Sequence, residues 1–375
     1  MSGIYIHIPF CKQACYYCNF HFSTQLKHIN EMVNAICNEI DLRHNYLKEK
    51  TLQSIYFGGG TPSLLNNEQL LQIFKTIEKY FIITNDAEIT LEANPDDLTE
   101  DKLLLLKQTP INRLSIGVQS FFDTDLKWMN RAHNANQAME SIAYANKIGF
   151  NNVTIDLIYG TPGLTNINWK KNIDTAINLN VNHISSYALT VEPKTALATF
   201  IEKGTYSNTN DEQAAEQFDI LTNTLNENGF IHYEISNFGK AGFIAKHNSN
   251  YWKGKQYLGI GPSAHSFDNK SRSWNIANNV KYMEAINSKI PLITVEKLSK
   301  NNLINEYIMT GLRTIWGCDL NYIELEFGKN EKERIINLAN KYMLTEMLTT
   351  NNEVLITTAK GKFFADGIAS DLFKI

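Results

Sequence analysis

The sequence predicts an α/β fold: a partial (β/α)6 barrel, TIM-like, with an α/β extension and a small helical or winged C-terminal domain. Three observations carry this expectation. Short β-branched or apolar runs alternate with amphipathic helical patterns through the first half of the chain, which reads as βα units and a parallel sheet; six such units suggest a barrel or partial barrel more than a small open sheet, though the count alone does not separate the two. The pattern changes near Asp211. The composition, 43% hydrophobic and 20% charged, is that of an ordinary globular protein and excludes a fibrous or mostly disordered chain.

The candidate strands are residues 4–8, 54–57, 88–92, 113–117, 153–158 and 183–189. Between them lie helical spacings such as Val33, Ile36, Cys37, Ile40 and Leu70, Phe74, Ile77, Phe81. After Asp211, the residues Ala214, Ala215, Phe218, Leu221 and Leu225 form another amphipathic helix. Gly229 ends it, and a strand-like run over 231–235 follows. Residues 237–279, rich in Gly, Asn, Ser and aromatics, read as a functional loop. From about Pro291 a separate small domain is expected, with helices near 301–314 and 330–347 and a β pair of 354–357 with 363–364. The domains are therefore read as 1–200 (barrel), 201–290 (extension) and 291–375 (C-terminal).

No apolar run reaches the ~18 residues that a membrane span needs. The N-terminal string MSGIYIHIPF carries no basic stretch or cleavage signal, so a cytosolic location is expected. The net charge of −4 lacks the footprint of a nucleic-acid binder. The tail could be a winged helix, but acids and bases nearly balance over residues 300–375, so DNA binding is not expected.

Cys11, Cys15 and Cys18 form C-x3-C-x2-C directly after the first strand. Three thiolates on one loop suit an iron–sulfur cluster with one iron free of protein ligand. Structural zinc is the competing reading. It usually takes four protein ligands, and His7 or His21 would have to supply the fourth. Cys37 and Cys318 read as packed small hydrophobes. Gly58-Gly59-Gly60-Thr61-Pro62 follows the second strand. Consecutive glycines let the main chain approach a ligand closely, although a tight turn needs them too. Glu92, Gln119, Asp156 and the backbone around Ala188 stand at successive strand ends. Ligands of a parallel barrel bind at that face, so these groups point to one mouth.

The string Tyr5-Ile6-His7-Ile8-Pro9-Phe10, together with the cysteine and glycine motifs, resembles the radical S-adenosylmethionine (SAM) superfamily. Within it the chain resembles the oxygen-independent coproporphyrinogen III oxidases and the HemW-type heme chaperones, with motif matches from residue 5 to about 265. The resemblance implies a 4Fe–4S cluster on Cys11, Cys15 and Cys18, with SAM chelating the fourth iron and undergoing reductive cleavage. It carries SAM contacts onto Tyr5, Tyr17, Gly59, Gly60, Thr61, Glu92, Gln119, Arg131, Asp156, Ala188 and His265. Arg131 is the natural carboxylate partner, because its guanidinium fork matches carboxylate geometry.

The chain departs from the oxidase pattern in two places. The oxidases continue as C-x3-C-x2-C-x-C, whereas here Cys18-Asn19-Phe20 ends in phenylalanine. They also carry a longer segment ahead of the cluster loop. Residues His247-Asn248-Ser249-Asn250-Tyr251-Trp252 match a motif linked with heme in the HemW type. Imidazole is a common axial ligand of heme iron, and Tyr and Trp offer flat surfaces. By itself, a histidine beside aromatics is more often simply packed. The resemblance implies a carrier that binds heme and hands it to acceptor heme proteins, cytochromes or other respiratory proteins, with an electron donor for the cluster. The alternative is an enzyme, the SAM-dependent oxidative decarboxylase of coproporphyrinogen III.

Overall fold

In a computed structural model, which describes residues 2–375, six strands follow the chain in spatial order. They are β1 (Ser2–Ile8), β2 (Thr51–Gly59), β3 (Ile82–Ala93), β4 (Arg113–Gln119), β5 (Asn152–Tyr159) and β6 (His183–Ala188), and each pairs in parallel with the next. One face of these strands turns polar residues to the barrel interior, such as Tyr5 or Ser115 and Gln119, while the alternate residues, Ile4, Ile6 and Ile8 or Leu114, Ile116 and Val118, are buried on the other face under covering helices. Those helices are α1 (Ile29–Arg43), α2 (Asn67–Glu78), α3 (Glu100–Leu106), α4 (Asp123–Trp128), α5 (Ala135–Ile148) and α6 (Asn166–Asn178). Asn66 with Gln69 and Asn134 with Gln137 form capping boxes that start α2 and α5.

The sheet extends on both sides to twelve strands. After α7 (Ala196–Glu202) and α8 (Asp211–Glu227), the hairpin β7 (Ile231–Glu234) and β8 (Asn237–Gly239) adds antiparallel to β6. After α9 (Lys246–Trp252), β9 (Tyr257–Ile260) pairs in parallel with β1. Then β10 (His265–Phe267), β11 (Ser271–Asn275) and, past α10 (Asn279–Asn287), β12 (Ile293–Lys297) complete that side. Tyr5 on β1 and Tyr187 on β6 line one cavity, so the parallel strands curl into a partial barrel whose mouth is at their C-terminal ends.

The C-terminal part builds its own core on Ile304, Ile308, Leu312, Ile323, Ile335 and Leu355. Its elements are α11 (Lys300–Leu312), β13 (Cys318–Asp319), α12 (Leu320–Phe327), α13 (Lys329–Leu344), β14 (Leu348–Asn351), β15 (Val354–Thr357), α14 (Ala359–Lys362) and α15 (Ala365–Asp371). It docks on β7. Ile235 N donates to Arg313 O and Ile315 N to Tyr233 O, both at 3.0 Å, and Lys362 Nζ donates to His232 O at 2.9 Å.

Three local expectations are corrected. The partner of β15 is β14, while Phe363 and Phe364 lie at the α14–α15 junction, where Phe363 packs on Phe218 with ring centroids 5.4 Å apart. Tertiary packing overrides the strand preference of the aromatic pair. Residues 237–279 hold β8 to β11 and α9 rather than one loop. Gly259 serves a close crossing: a Cβ there would sit 1.9 Å from His265 O. Finally, β12 lies beyond Pro291 yet forms the edge of the large sheet. No helix among the described residues is long and apolar enough to cross a membrane.

Candidate functional site

A cavity of about 640 Å³ opens at the C-terminal ends of the parallel strands, within the usual size of ligand pockets. Its wall brings together Tyr5, Cys11, Cys15, Tyr17, Cys18, Gly59, Gly60, Thr61, Glu92, Gln119, Arg131, Asp156 and Ala188, and from α9 His247, Asn248 and Tyr251. His265 and Trp252 are not part of that wall.

The cysteine loop is pinned by several distant segments. Cys11 N donates to Ser23 O at 3.0 Å, Tyr16 N to Met129 O at 3.2 Å and Leu197 N to Tyr16 O at 2.8 Å. Asn130 Nδ2 donates to Ala14 O at 2.7 Å. All three thiols are free and partly exposed. Thr61 Oγ1 donates to Cys11 Sγ at 3.4 Å, and Arg131 Nη1 to Cys15 Sγ at 3.2 Å. Burial pushes the Cys11 thiol up to about 11 and raises that of Cys18. An iron ligand counters such a cost by stabilising the thiolate. Among the described residues no three His, Cys, Asp or Glu side chains gather as a single metal ion requires.

The glycine run lies against this loop. Gly60 N donates to Ile8 O at 2.9 Å and Thr61 N to Phe10 O at 2.7 Å. A Cβ on Gly60 would meet Phe10 O at 2.6 Å and Ile8 O at 2.7 Å. Gly59 N and Tyr56 Oη donate to the two oxygens of Glu92 at 3.1 and 2.7 Å. Burial pushes the Glu92 carboxyl up to about 7, against those hydrogen bonds. Burial likewise pushes Asp156 up to about 6, with Arg113 and Ser185 opposing. Gln119 ends β4 with a left-handed φ of 67°, a conformation retained where surrounding structure enforces it. Arg131 Nη2 donates to Asn94 Oδ1 and Gly117 O, each at 2.7 Å. Its Nε is buried without a partner.

His247 sits at the start of α9. The Glu88 carboxylate accepts from Lys246 N and His247 N, both at 2.9 Å, a favourable charge at a helix N-terminus. The ring stacks on Tyr56 with centroids 5.0 Å apart. Its Nδ1 is 2.8 Å from Ser54 Oγ and its Nε2 is 3.0 Å from Tyr251 Oη. Burial drives its pKa down to about 3, so the ring is neutral and both nitrogens are engaged. Trp252, on the same helix, faces the C-terminal part, where the Arg313 guanidinium lies 5.1 Å from its ring centroid. His265 lines a separate hollow with Trp274.

The cavity also holds residues that the sequence reading did not single out as site residues, among them Arg113, Ser185, Asn237, Phe22 and Tyr187. Arg113 could have been found as a charge opening an apolar strand, which demands a buried partner. That partner is Glu88, 3.8 Å away. Phe20, where the oxidase pattern has cysteine, stands at the mouth and is 68% exposed.

The donor set suits the groups that the motifs imply. Three free thiols face one cavity, an orphaned guanidinium Nε is buried beside them, and the adjoining glycine turn leaves no room for a side chain. A cysteine loop of this kind over the C-terminal ends of a partial barrel is the arrangement of radical SAM proteins, and residues 5–176 match the model of the Radical SAM superfamily. That superfamily implies SAM and a 4Fe–4S cluster. The chain is 36% identical over 333 residues to the heme chaperone HemW of Bacillus subtilis (strain 168), covering 88% of each chain. It is 32% identical over 375 residues to the heme chaperone HemW of Mycobacterium tuberculosis (strain ATCC 25618 / H37Rv), covering 99% of this chain and 94% of that one. The chain belongs to the HemW family of radical SAM proteins. The solved structure of coproporphyrinogen III oxidase, HemN, from Escherichia coli superposes with a TM-score of 0.82 over 100% of this chain and 90% of that one. At 22% identity this shows a shared fold alone.

Proposed function

We propose that the protein is a heme chaperone: it binds heme and transfers it to acceptor heme proteins, on a scaffold that also holds a 4Fe–4S cluster and SAM. The observation that carries this reading is similarity along 88% of the chain to a protein named heme chaperone HemW. Cys11, Cys15 and Cys18 hold the cluster in this reading. Gly59, Gly60, Thr61, Glu92, Gln119, Arg131 and Asp156 hold SAM, with Tyr5, Tyr17 and Ala188 completing the wall. Cluster and SAM, when bound, supply one-electron chemistry. The chain's own residues orient and enclose. Tyr56 and Gly59 N fix the Glu92 carboxyl, while Arg131 ties the cysteine loop to Asn94 and β4. The α9 residues His247, Asn248 and Tyr251 support the far wall. Acceptors are heme proteins of the cytosol or its adjoining membrane, and an electron donor serves the cluster.

The oxidase reading receives no separate support, since Phe20 occupies the position of its additional cysteine. The discriminating experiment supplies coproporphyrinogen III, SAM and a reductant to the cluster-reconstituted protein under anaerobic conditions. No protoporphyrinogen is expected, although SAM cleavage is detectable. Many product molecules per chain would replace the carrier with the oxidase.

A further inference from the structure

The nine histidines differ in what holds their rings. His7, His183 and His247 have both nitrogens engaged. His21, His44, His133 and His232 each have one nitrogen held by a carbonyl or amide oxygen, and His28 pairs with Glu31 at 3.6 Å. His265 is exposed, and its ring nitrogens make neither a hydrogen bond nor an ion pair; its ring contact is Trp274, nearly parallel at 25° with centroids 5.6 Å apart.

This ring faces a hollow of about 480 Å³ whose other walls include Trp274, Ile276, Leu292 and Ile293. An imidazole with both nitrogens unengaged, steadied by an indole stacked on its ring and standing beside aliphatic walls, is the chemistry that ligates a metalloporphyrin. Partial burial lowers the affinity of His265 for a proton, which leaves a neutral ring with a lone pair for iron. The place in the sheet also fits. Because β9 is parallel to β1, with Ile260 beside Ile6, the turn into His265 comes at the same end of the sheet as the cysteine loop. His21, just past that loop, reaches the same region, its Nε2 lying 2.7 Å from Asn279 Oδ1.

We infer that His265, rather than His247, is the imidazole that ligates the iron of the heme cargo, with Trp274 stacked on that imidazole and steadying it, and Ile276 and Leu292 beside the macrocycle, in a hollow separate from the cysteine cavity. The inference rests on the heme-chaperone reading and names the cargo's seat within it. His247 has no nitrogen to offer without breaking a bond to Ser54 or Tyr251, whereas His265 gives up nothing.

The test is a hemin titration of the full-length protein, read in the Soret band, for the wild type, His265→Ala and Trp274→Phe. His265→Ala removes no hydrogen bond, only the half-exposed ring contact with Trp274, so its melting temperature should stay close to that of the wild type. Its hemin affinity should fall at least about tenfold with loss of the imidazole-ligated band, and added imidazole should restore that band. Trp274→Phe should keep the ligated band with weaker binding. Wild-type affinity and spectrum in His265→Ala would overturn this inference and leave the chaperone reading standing. Failure of the folded wild-type chain to bind hemin would remove both.

Discussion

His247 Nδ1 lies 2.8 Å from Ser54 Oγ, so a residue of the H-N-x-x-Y-W helix is held by strand β2 from the far end of the barrel sequence. With Tyr251 on the other nitrogen and Tyr56 stacked on its face, this histidine is a structural post of the cavity wall. Ser54→Ala should destabilise the protein by about 1–3 kcal/mol, the cost of leaving a buried partner unsatisfied. His247→Ala should cost more, on the order of 2–5 kcal/mol with its cavity included. Urea denaturation measures both. Folded His247→Ala should bind hemin close to wild type, and loss of binding without loss of stability would reassign that residue.

Gly60 is the second test of wall geometry. A Cβ there would collide with the main-chain oxygens of Ile8 and Phe10, just ahead of the cysteine loop, which no rotamer change relieves. Gly60→Ala should lower stability by about 1–3 kcal/mol and reduce the iron bound after reconstitution. Gly367 is the control. It lies inside α15 with nothing within 4 Å of its missing Cβ, so Gly367→Ala should stabilise by up to about 1 kcal/mol. Equal effects of the two substitutions on iron content would refute the packing argument.

Arg131 serves three acceptors on three segments: Cys15 Sγ, Asn94 Oδ1 and Gly117 O. Lysine is a point charge without that planar fork. Arg131→Lys should therefore retain the fold but bind SAM about tenfold more weakly and load less iron, as seen by equilibrium dialysis and iron analysis. Unchanged values for both would mean that the guanidinium shape is irrelevant.

Acid should weaken the cluster-free protein. Burial lowers the pKa of His7 and His133 to about 4 and of His232 and His247 to about 3, and lowers that of His183 as well. Stability from a neutral buried imidazole is present above its unfolded value near 6.5 and is lost as pH falls below it. Glu92 and Asp156 are shifted up, to about 7 and about 6. They act in the opposite sense, favouring the folded state as pH falls through that window. Burial also raises Asp125 and Glu234, which act with them; the five histidines still outnumber the four carboxyls, so unfolding between pH 6 and 5 should take up protons net. The urea midpoint should fall from pH 7 to pH 5, and an equal or higher midpoint at pH 5 would contradict this balance.

Much of the barrel was legible in the sequence because local signals and tertiary structure agree there. All six runs became parallel strands, and Asn66 and Asn134 cap the helices that they precede. The cysteine and glycine motifs were legible because both need short-range spacing. What was not legible depends on distant partners. Glu88 holding the N-terminus of α9, or Ser54 holding His247, joins segments more than 150 residues apart. His265 was grouped with SAM contacts by resemblance, yet the crossing at Gly259 turns it to another hollow. Strand β12 has an almost wholly exposed pattern, so no alternation announced it.

Cys15→Ala separates the two ligand regions. The thiol lines the main cavity and not the His265 hollow. The variant should therefore fail to assemble the cluster while binding hemin with unchanged affinity in the Soret titration. Parallel loss of hemin would place cluster and cargo in one site.

The carrier account is tested most directly by handover. Hemin-loaded, cluster-bearing protein is mixed with the apo form of a b-type cytochrome domain, and the acceptor's Soret band is followed with time. The account predicts stoichiometric transfer, faster than from hemin-loaded serum albumin at the same concentration. Heme that stays on the protein, or reaches the acceptor no faster than from albumin, would contradict it.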